Sequence, residues 1–193
     1  MAAYEADDDP YCYRGTSVLK NVPGIRDRAR LARFEAVVVA QRALEPLPRG
    51  KLSLRHYRSI HHHLFQDVYR WAGRFRSVRT HKGGSTFCYP EHIPSQMAAL
   101  FITLRQADFF TGLSVAGFAS QAAHFVATLN AIHPFREGNG RSQTVFLGLL
   151  AARAGHGMEF SRLDATAFRE AMIESFSGSE KPLAAQIHSL IEP

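Results

Sequence analysis

The chain has 193 residues, 46% of them hydrophobic and 21% charged, and carries a net charge of +6. That length supports one substantial core, so a single domain over residues 1–193 is expected, and no apolar run reaches the ~20 residues that a membrane span needs. The positive charge comes from 19 Arg and 4 Lys scattered without a dense basic run, which argues against nucleic acid or membrane as partner and leaves room for an anionic ligand or an acidic partner.

The N-terminal stretch MAAYEADDDPYCYRG is acidic and lacks the basic and apolar regions of a secretory signal. Cys12 and Cys88 lie far apart and form no CxxC pair, so a reducing, cytoplasmic setting is expected. Turn residues Pro10, Gly15, Asn21, Pro23 and Gly24 mark residues 1–25 as an irregular loop. Apolar positions at Leu31, Phe34, Val38 and Leu44 predict a helix over Asp27–Leu44, ended by Pro46 and Pro48. A second helix starts from the N-cap Ser53 and runs through Tyr57, Ile60, Leu64 and Val68. Alternating stretches on either side of Lys82-Gly83-Gly84-Ser85 predict a β-hairpin within residues 74–90, with Trp71 and Phe75 as core beneath it. Further helices follow through Met97 and Leu104, over Ser114–Asn130, over Arg141–Ala154 before Gly155, and around Ala165–Ser175 and Pro182–Ile191. The fold class is mainly α with one hairpin.

Between two apolar helices lies His133-Pro134-Phe135-Arg136-Glu137-Gly138-Asn139-Gly140-Arg141. Pro134 disfavours helix at the residue before it, so the preceding helix should break and leave His133 on an exposed lip. Gly138 and Gly140 tolerate positive φ and let successive N–H groups face one concavity. The following helix adds unpaired N–H groups and a partial positive charge, which makes an anion cradle beside Arg141. A carboxylate at Glu137 would repel a bare phosphate and fits better if Mg²⁺ sits between them. The plain alternative is that Asn139 merely caps a helix and His133 sits on a turn.

HPFREGNGR matches the motif HxFx(D/E)GN(G/K)R of the Fic family at every fixed position, and the chain resembles that family well beyond it. DPYCYRGTSVLKNVPGIRD looks like the N-terminal loop of Fic toxins, IHHHLFQDVYRWAGRFR like their second helix, and KGGSTFCYPEHI like the hairpin called the flap. The resemblance implies a helical Fic domain that transfers AMP from ATP to a Ser, Thr or Tyr hydroxyl of a target protein. A minority of the family uses other phosphate-bearing donors such as CDP-choline, and a catalytically silent module that binds nucleotide or partner is the reading from another class. Carried over residue by residue, His133 is the general base, Glu137 holds Mg²⁺, and Gly138, Asn139, Gly140 and Arg141 bind the nucleotide's phosphates. Phe135 anchors the loop, and Arg136 has no assigned role. The target would dock along the flap at Lys82, Gly83, Gly84 and Phe87.

Two departures qualify the likeness. Where many family members continue GRxxR, this chain reads GRSQT, so Thr144 replaces a γ-phosphate-binding Arg. The inhibitory pattern (S/T)xxxE(G/N) is approached only by Thr166–Ala171, which ends in Glu170-Ala171. The chain thus resembles the toxins restrained by a separate small antitoxin that carries the inhibitory helix. The run His61-His62-His63 is read as a polar patch, because successive helix residues point in different directions and seldom share one metal.

Overall fold

Short-range capping starts most of the helices at the predicted places. In the computed structural model, which describes residues 9–82 and 85–191, α1 spans Arg28–Leu44 with the Asp27 carboxylate accepting from the Arg30 N–H at 2.7 Å. The Ser53 hydroxyl caps α2 (Leu54–Phe65), and the Ser114 hydroxyl caps α4 (Val115–Ile132). Between them come the strands β1 (His81–Lys82) and β2 (Ser85–Thr86) and the helix α3 (Ile93–Gln106). The chain continues as α5 (Asn139–Ala154), α6 (Ala165–Glu174) and α7 (Lys181–Leu190). α5 stops at Gly155, whose φ of +88° suits a residue without a side chain. None of the described helices is long and apolar enough to cross a membrane.

The residues fall into two compact groups. One comprises the chain up to Ile93 together with Pro134–Ser142; the other comprises Pro94–His133 and the residues from Gln143 onward.

In the first group, residues 9–25 fold back on themselves: the Tyr13 N–H donates to Val18 at 2.9 Å and the Lys20 N–H to Tyr11 at 2.7 Å. Asn21 holds the exit, its amide nitrogen donating to the carbonyls of Leu19 and Ile25. α1 packs on α2 and buries Leu31 and Val39, whereas Leu44, expected on the apolar face, is exposed in the last turn. α2 and the segment after it bury Tyr57, Ile60, Leu64, Phe65, Val68 and Tyr69.

The hairpin pairs His81 with Thr86 and Lys82 with Ser85, and the Phe87 N–H donates to Thr80. Its regular strands are shorter than the sequence suggests. The buried guanidinium of Arg76 donates to the carbonyls of Val78 and Cys88, both at 2.6 Å, and so takes groups that a longer ladder would use. Trp71 and Phe75, expected as core, are half-buried: Phe75 lies 6.2 Å from Phe135, and Trp71 stacks on Tyr69 at 4.4 Å.

In the second group, Phe101, Phe125 and Phe146 meet at centroid distances of 5.5–5.8 Å. α7 packs on α4 and α6. Within α6, Phe168 is half-buried and Met172 buried, as the helical spacing implies, and Glu170 is exposed.

Candidate functional site

The loop Pro134–Arg141 is shaped by bonds to itself and to residues far back in the chain. Phe135 is fully buried, with Tyr57 at 5.5 Å and His61 at 3.7 Å. Asn139 staples the loop: its side-chain oxygen accepts from the Phe135 N–H at 3.0 Å and its amide donates to the Phe135 carbonyl at 2.8 Å. The side chain expected to meet phosphate is therefore engaged inside the loop, and what Asn139 offers an anion is main chain at the start of α5, the end of a helix that favours negative charge.

The two glycines serve different ends. Gly138 has φ +83°, and a Cβ there would fall 2.4 Å from the ring of Phe65. At Gly140 a Cβ would meet nothing within 4 Å. Packing thus demands glycine at 138, while at 140 it leaves the open approach that a cradle for a ligand needs.

Beneath the loop stands His61, which is a buried support and no part of a polar patch. Its Nδ1 accepts from the Gly73 N–H at 2.9 Å, so the ring proton sits on Nε2 and is donated to the Glu137 carbonyl at 2.9 Å. The ring is fully buried and stacks on Phe65 at 4.7 Å. Burial lowers its pKa to about 3, the nearby Arg141 charge acting in the same direction. A helical reading contained the clue, since His61 follows Tyr57 by four positions and precedes Phe65 by four, on the apolar face of α2. Its neighbours His62 and His63 reach other carbonyls, those of Ala72 and Arg42, so the three imidazoles share no centre.

Arg136, to which the sequence assigned nothing, is an anchor. Its Nε and Nη2 approach Asp9 Oδ2 at 2.7 and 2.6 Å, with only 4% and 5% of the two side chains exposed. The Asp9 carboxylate also accepts from the Tyr11 N–H. Losing one partner of such a buried pair typically costs about 3–5 kcal/mol. Arg76 adds a further tie, its N–H donating to the Pro134 carbonyl at 2.9 Å.

The charged edge of the loop consists of Glu137, Arg141 and, from α1, Glu35. Glu137 Oε1 accepts from the Gly138 N–H at 2.9 Å and lies 3.5 Å from Arg141 Nη2. Arg141 donates from the same nitrogen to Glu35 Oε1 at 2.6 Å, and its guanidinium carbon sits 4.6 Å above the Phe65 ring. Among the described residues no cluster of three His, Cys, Asp or Glu forms a protein-only metal site. A single carboxylate beside an anion cradle still suits Mg²⁺, which keeps waters and takes one or two carboxylates plus substrate phosphates.

His133 follows α4 directly and adopts a left-handed conformation, φ 50° and ψ 62°, with its N–H on Leu129. Pro134 breaks the helix as predicted. The expected exposed lip is not found: His133 is 5% exposed, because the left-handed turn redirects the residue out of the helical path. Of the expected docking residues, Lys82 lies in β1 and Gly83 and Gly84 fall outside the described residues. Phe87 is buried at 5% exposure and anchors the base of the hairpin. Tyr11 packs edge-on against Trp71 and Tyr13 lies under Arg26, which makes the N-terminal loop a packed one.

Residues 51–151 match the Fic/DOC family. Over 192 residues the chain is 48% identical to a probable protein adenylyltransferase of Sinorhizobium fredii, covering 99% of this chain and 100% of that one. It is 35% identical over 167 residues to the probable protein adenylyltransferase Fic of Escherichia coli, covering 84% and 82%. Among solved structures, the VirB-translocated effector BepC of Bartonella tribocorum, determined with bound AMPPNP, superposes with a TM-score of 0.86 at 30% identity, over 95% of this chain and 96% of that one.

Two outcomes are expected from this geometry. Gly138→Ala should destabilise the protein by about 1–3 kcal/mol in urea denaturation, whereas Gly140→Ala should leave stability intact and weaken binding of a phosphate-bearing ligand in calorimetric titration. The second concerns acid. The unfolded His61 takes up its proton near pH 6.5 and the folded one only near 3, so the stability it contributes is complete above pH 6.5 and is lost as pH falls from there toward 3. Between pH 7.5 and 5.5 the unaltered protein should lose about 1 kcal/mol that a His61→Gln variant does not lose.

Proposed function

The chain belongs to the Fic/DOC family, and we propose that it is a protein adenylyltransferase that moves AMP from ATP onto a Ser, Thr or Tyr hydroxyl of a target protein. It is a nucleotidyltransferase, in keeping with its adenylyltransferase relatives. The observation that carries the reading is the loop itself: a glycine in the left-handed region at 138, an uncrowded backbone at Gly140 and a guanidinium at its edge, in the sequence that the family uses for this chemistry. ATP as donor is supported by the AMPPNP held by the BepC structure.

In the proposed step the target oxygen attacks the α-phosphorus and the bond to the oxygen bridging the α- and β-phosphates breaks. Pyrophosphate leaves with the bonding electrons, and His133 takes the hydroxyl proton. Imidazole is the side chain that ordinarily titrates nearest neutral pH, and a positioned base is typically worth ~10²–10⁴ in rate. The main chain at Asn139 and Gly140 is read as the donor set for the phosphate oxygens, where preorganised N–H groups stabilise developing charge without reorganisation, and Gly138, whose own N–H is held by Glu137, shapes the approach to them. Arg141 grips the leaving pyrophosphate. Glu137 would hold Mg²⁺, which when bound offsets negative charge on the phosphates.

The target segment is proposed to add along the hairpin by main-chain pairing, which tolerates varied sequences; Lys82 supplies backbone for this, and Phe87 holds the base. Restraint by a separate small protein carrying the inhibitory helix is part of the same proposal. It is supported by Ala171, which stands where the inhibitory pattern takes Gly or Asn and is buried in α6.

Activity assays with labelled ATP and a target protein test this reading. His133→Ala should abolish transfer while Mg-nucleotide affinity stays near that of the unaltered protein, and Glu137→Ala should instead weaken the metal-dependent part of binding. Full transfer by His133→Ala would remove the general-base assignment. Thr144 lies one turn beyond Arg141 on α5, where a guanidinium would share its face. Thr144→Arg should lower the Michaelis constant for ATP by about tenfold, the equivalent of ~1.5 kcal/mol for one charge-assisted contact. If it does not, and a diphosphate-linked donor such as CDP-choline outperforms ATP, the donor assignment falls.

A further inference from the structure

We infer that Glu35 is a positioning residue for Arg141, and that Tyr69 holds Glu35 in turn, so that a clamp reaching from α1 aims the motif guanidinium at the nucleotide's outer phosphates. The inference rests on the reading above, in which Arg141 meets those phosphates. Glu35 stands 106 positions from Arg141 in the chain, yet its Oε1 accepts from Arg141 Nη2 at 2.6 Å. Its other oxygen, Oε2, accepts from the hydroxyl of the buried Tyr69. Tyr69 is itself fixed by stacking on Trp71 at 4.4 Å. Trp71 thus backs Tyr69, Tyr69 backs Glu35, and Glu35 backs Arg141.

A carboxylate on a phosphate-binding arginine could act in two opposite ways. It could occupy the guanidinium and be displaced by phosphate, or it could stay and orient the group. The burial decides between them. The side chain of Glu35 is 13% exposed and that of Arg141 39% exposed, so the guanidinium keeps an open side while the carboxylate does not. A phosphate that displaced Glu35 would leave a nearly buried carboxylate with only a phenol for a partner, which is a strongly unfavourable arrangement. Guanidinium presents five donors in a rigid fork. Glu35 takes a donor at Nη2, and Glu137 Oε1 flanks the same nitrogen at 3.5 Å. Phe65 supports the flat face. These three contacts fix the plane of the group and leave Nε and Nη1 for an incoming anion. The arrangement matters more here because Arg136 is committed to Asp9 and Thr144 carries no charge, so Arg141 is the motif's one guanidinium placed for phosphate.

The test is titration of the full chain with ATP, ADP and AMP in the presence of Mg²⁺, for the unaltered protein, Glu35→Gln and Tyr69→Phe. Glu35→Gln should weaken ATP and ADP by about 5–20-fold and leave AMP within about twofold, since AMP lacks the phosphates that Arg141 meets. Tyr69→Phe, which keeps the ring and removes only the hydroxyl, should show the same pattern with a smaller loss. A residue that merely supports the fold would weaken all three nucleotides together. Unchanged or tighter ATP binding in Glu35→Gln overturns the clamp, the tighter case marking Glu35 as a competitor for Arg141. Equal affinity of the unaltered protein for ATP and AMP overturns instead the assignment of Arg141 to the phosphates. Should Glu35→Gln fail to fold, Tyr69→Phe decides, and a loss shared equally by AMP counts against the clamp.

Discussion

Between the N–H of Gly73 and the carbonyl of Glu137 stands one imidazole, and its neutrality is the condition on which the loop's shape depends. With Nδ1 accepting and Nε2 donating, His61 satisfies two backbone groups that would otherwise lie buried without partners. A second proton would turn the acceptor into a donor and set it against the Gly73 N–H. The same ring packs against Phe135 and Phe65, and Phe65 in turn limits residue 138 to glycine and lies under Arg141. One buried side chain thus touches, directly or through a single neighbour, Glu137, Gly138, Asn139 and Arg141.

The electrostatics of the edge follow from this scaffold. Two carboxylates, Glu35 and Glu137, face one guanidinium, so without ligands the cluster carries a net charge of about −1 if all three groups are ionised. Such a cluster receives an anion poorly unless a cation arrives with it. That is the behaviour expected of a site for a metal–nucleotide complex, and it differs from a plain basic patch, which would take up polyanions without discrimination. The scattered arginines agree with this picture, since several are tied to acceptors of their own, among them Arg42, Arg76 and Arg136.

What the sequence disclosed and what it withheld divide by distance along the chain. Caps at Asp27, Ser53 and Ser114 lie within three residues of the N–H groups they serve, and the period of the apolar positions runs within single helices, so the helices were legible with small errors at their ends. The motif's members are adjacent in sequence, and the likeness to a known family supplied their roles. The supports were not legible. Asp9 and Arg136 are separated by 127 positions, Glu35 and Arg141 by 106, and His61 and Glu137 by 76. No local pattern in a single sequence marks such pairs. His61 was further hidden by His62 and His63, which turned a buried helical position into an apparent polar run. The burial of His133 was missed for a different reason: the residue before a proline is barred from helix, but that rule does not choose between an outward lip and a left-handed turn.

The left-handed backbone at His133 bears on whether this motif can be moved. A non-glycine residue with positive φ carries strain of order 1–3 kcal/mol and persists only where its surroundings over-determine it. Gly138 adds a second positive φ five residues later. Nine residues alone could not hold that shape, and bonds that fix Pro134–Arg141 come from Asp9, Glu35, His61 and Arg76. HPFREGNGR is therefore no portable cassette. Transplanted into another helical hairpin it would relax, and a graft that keeps the geometry has to bring α1, α2, the foot of the flap and the N-terminal loop with it.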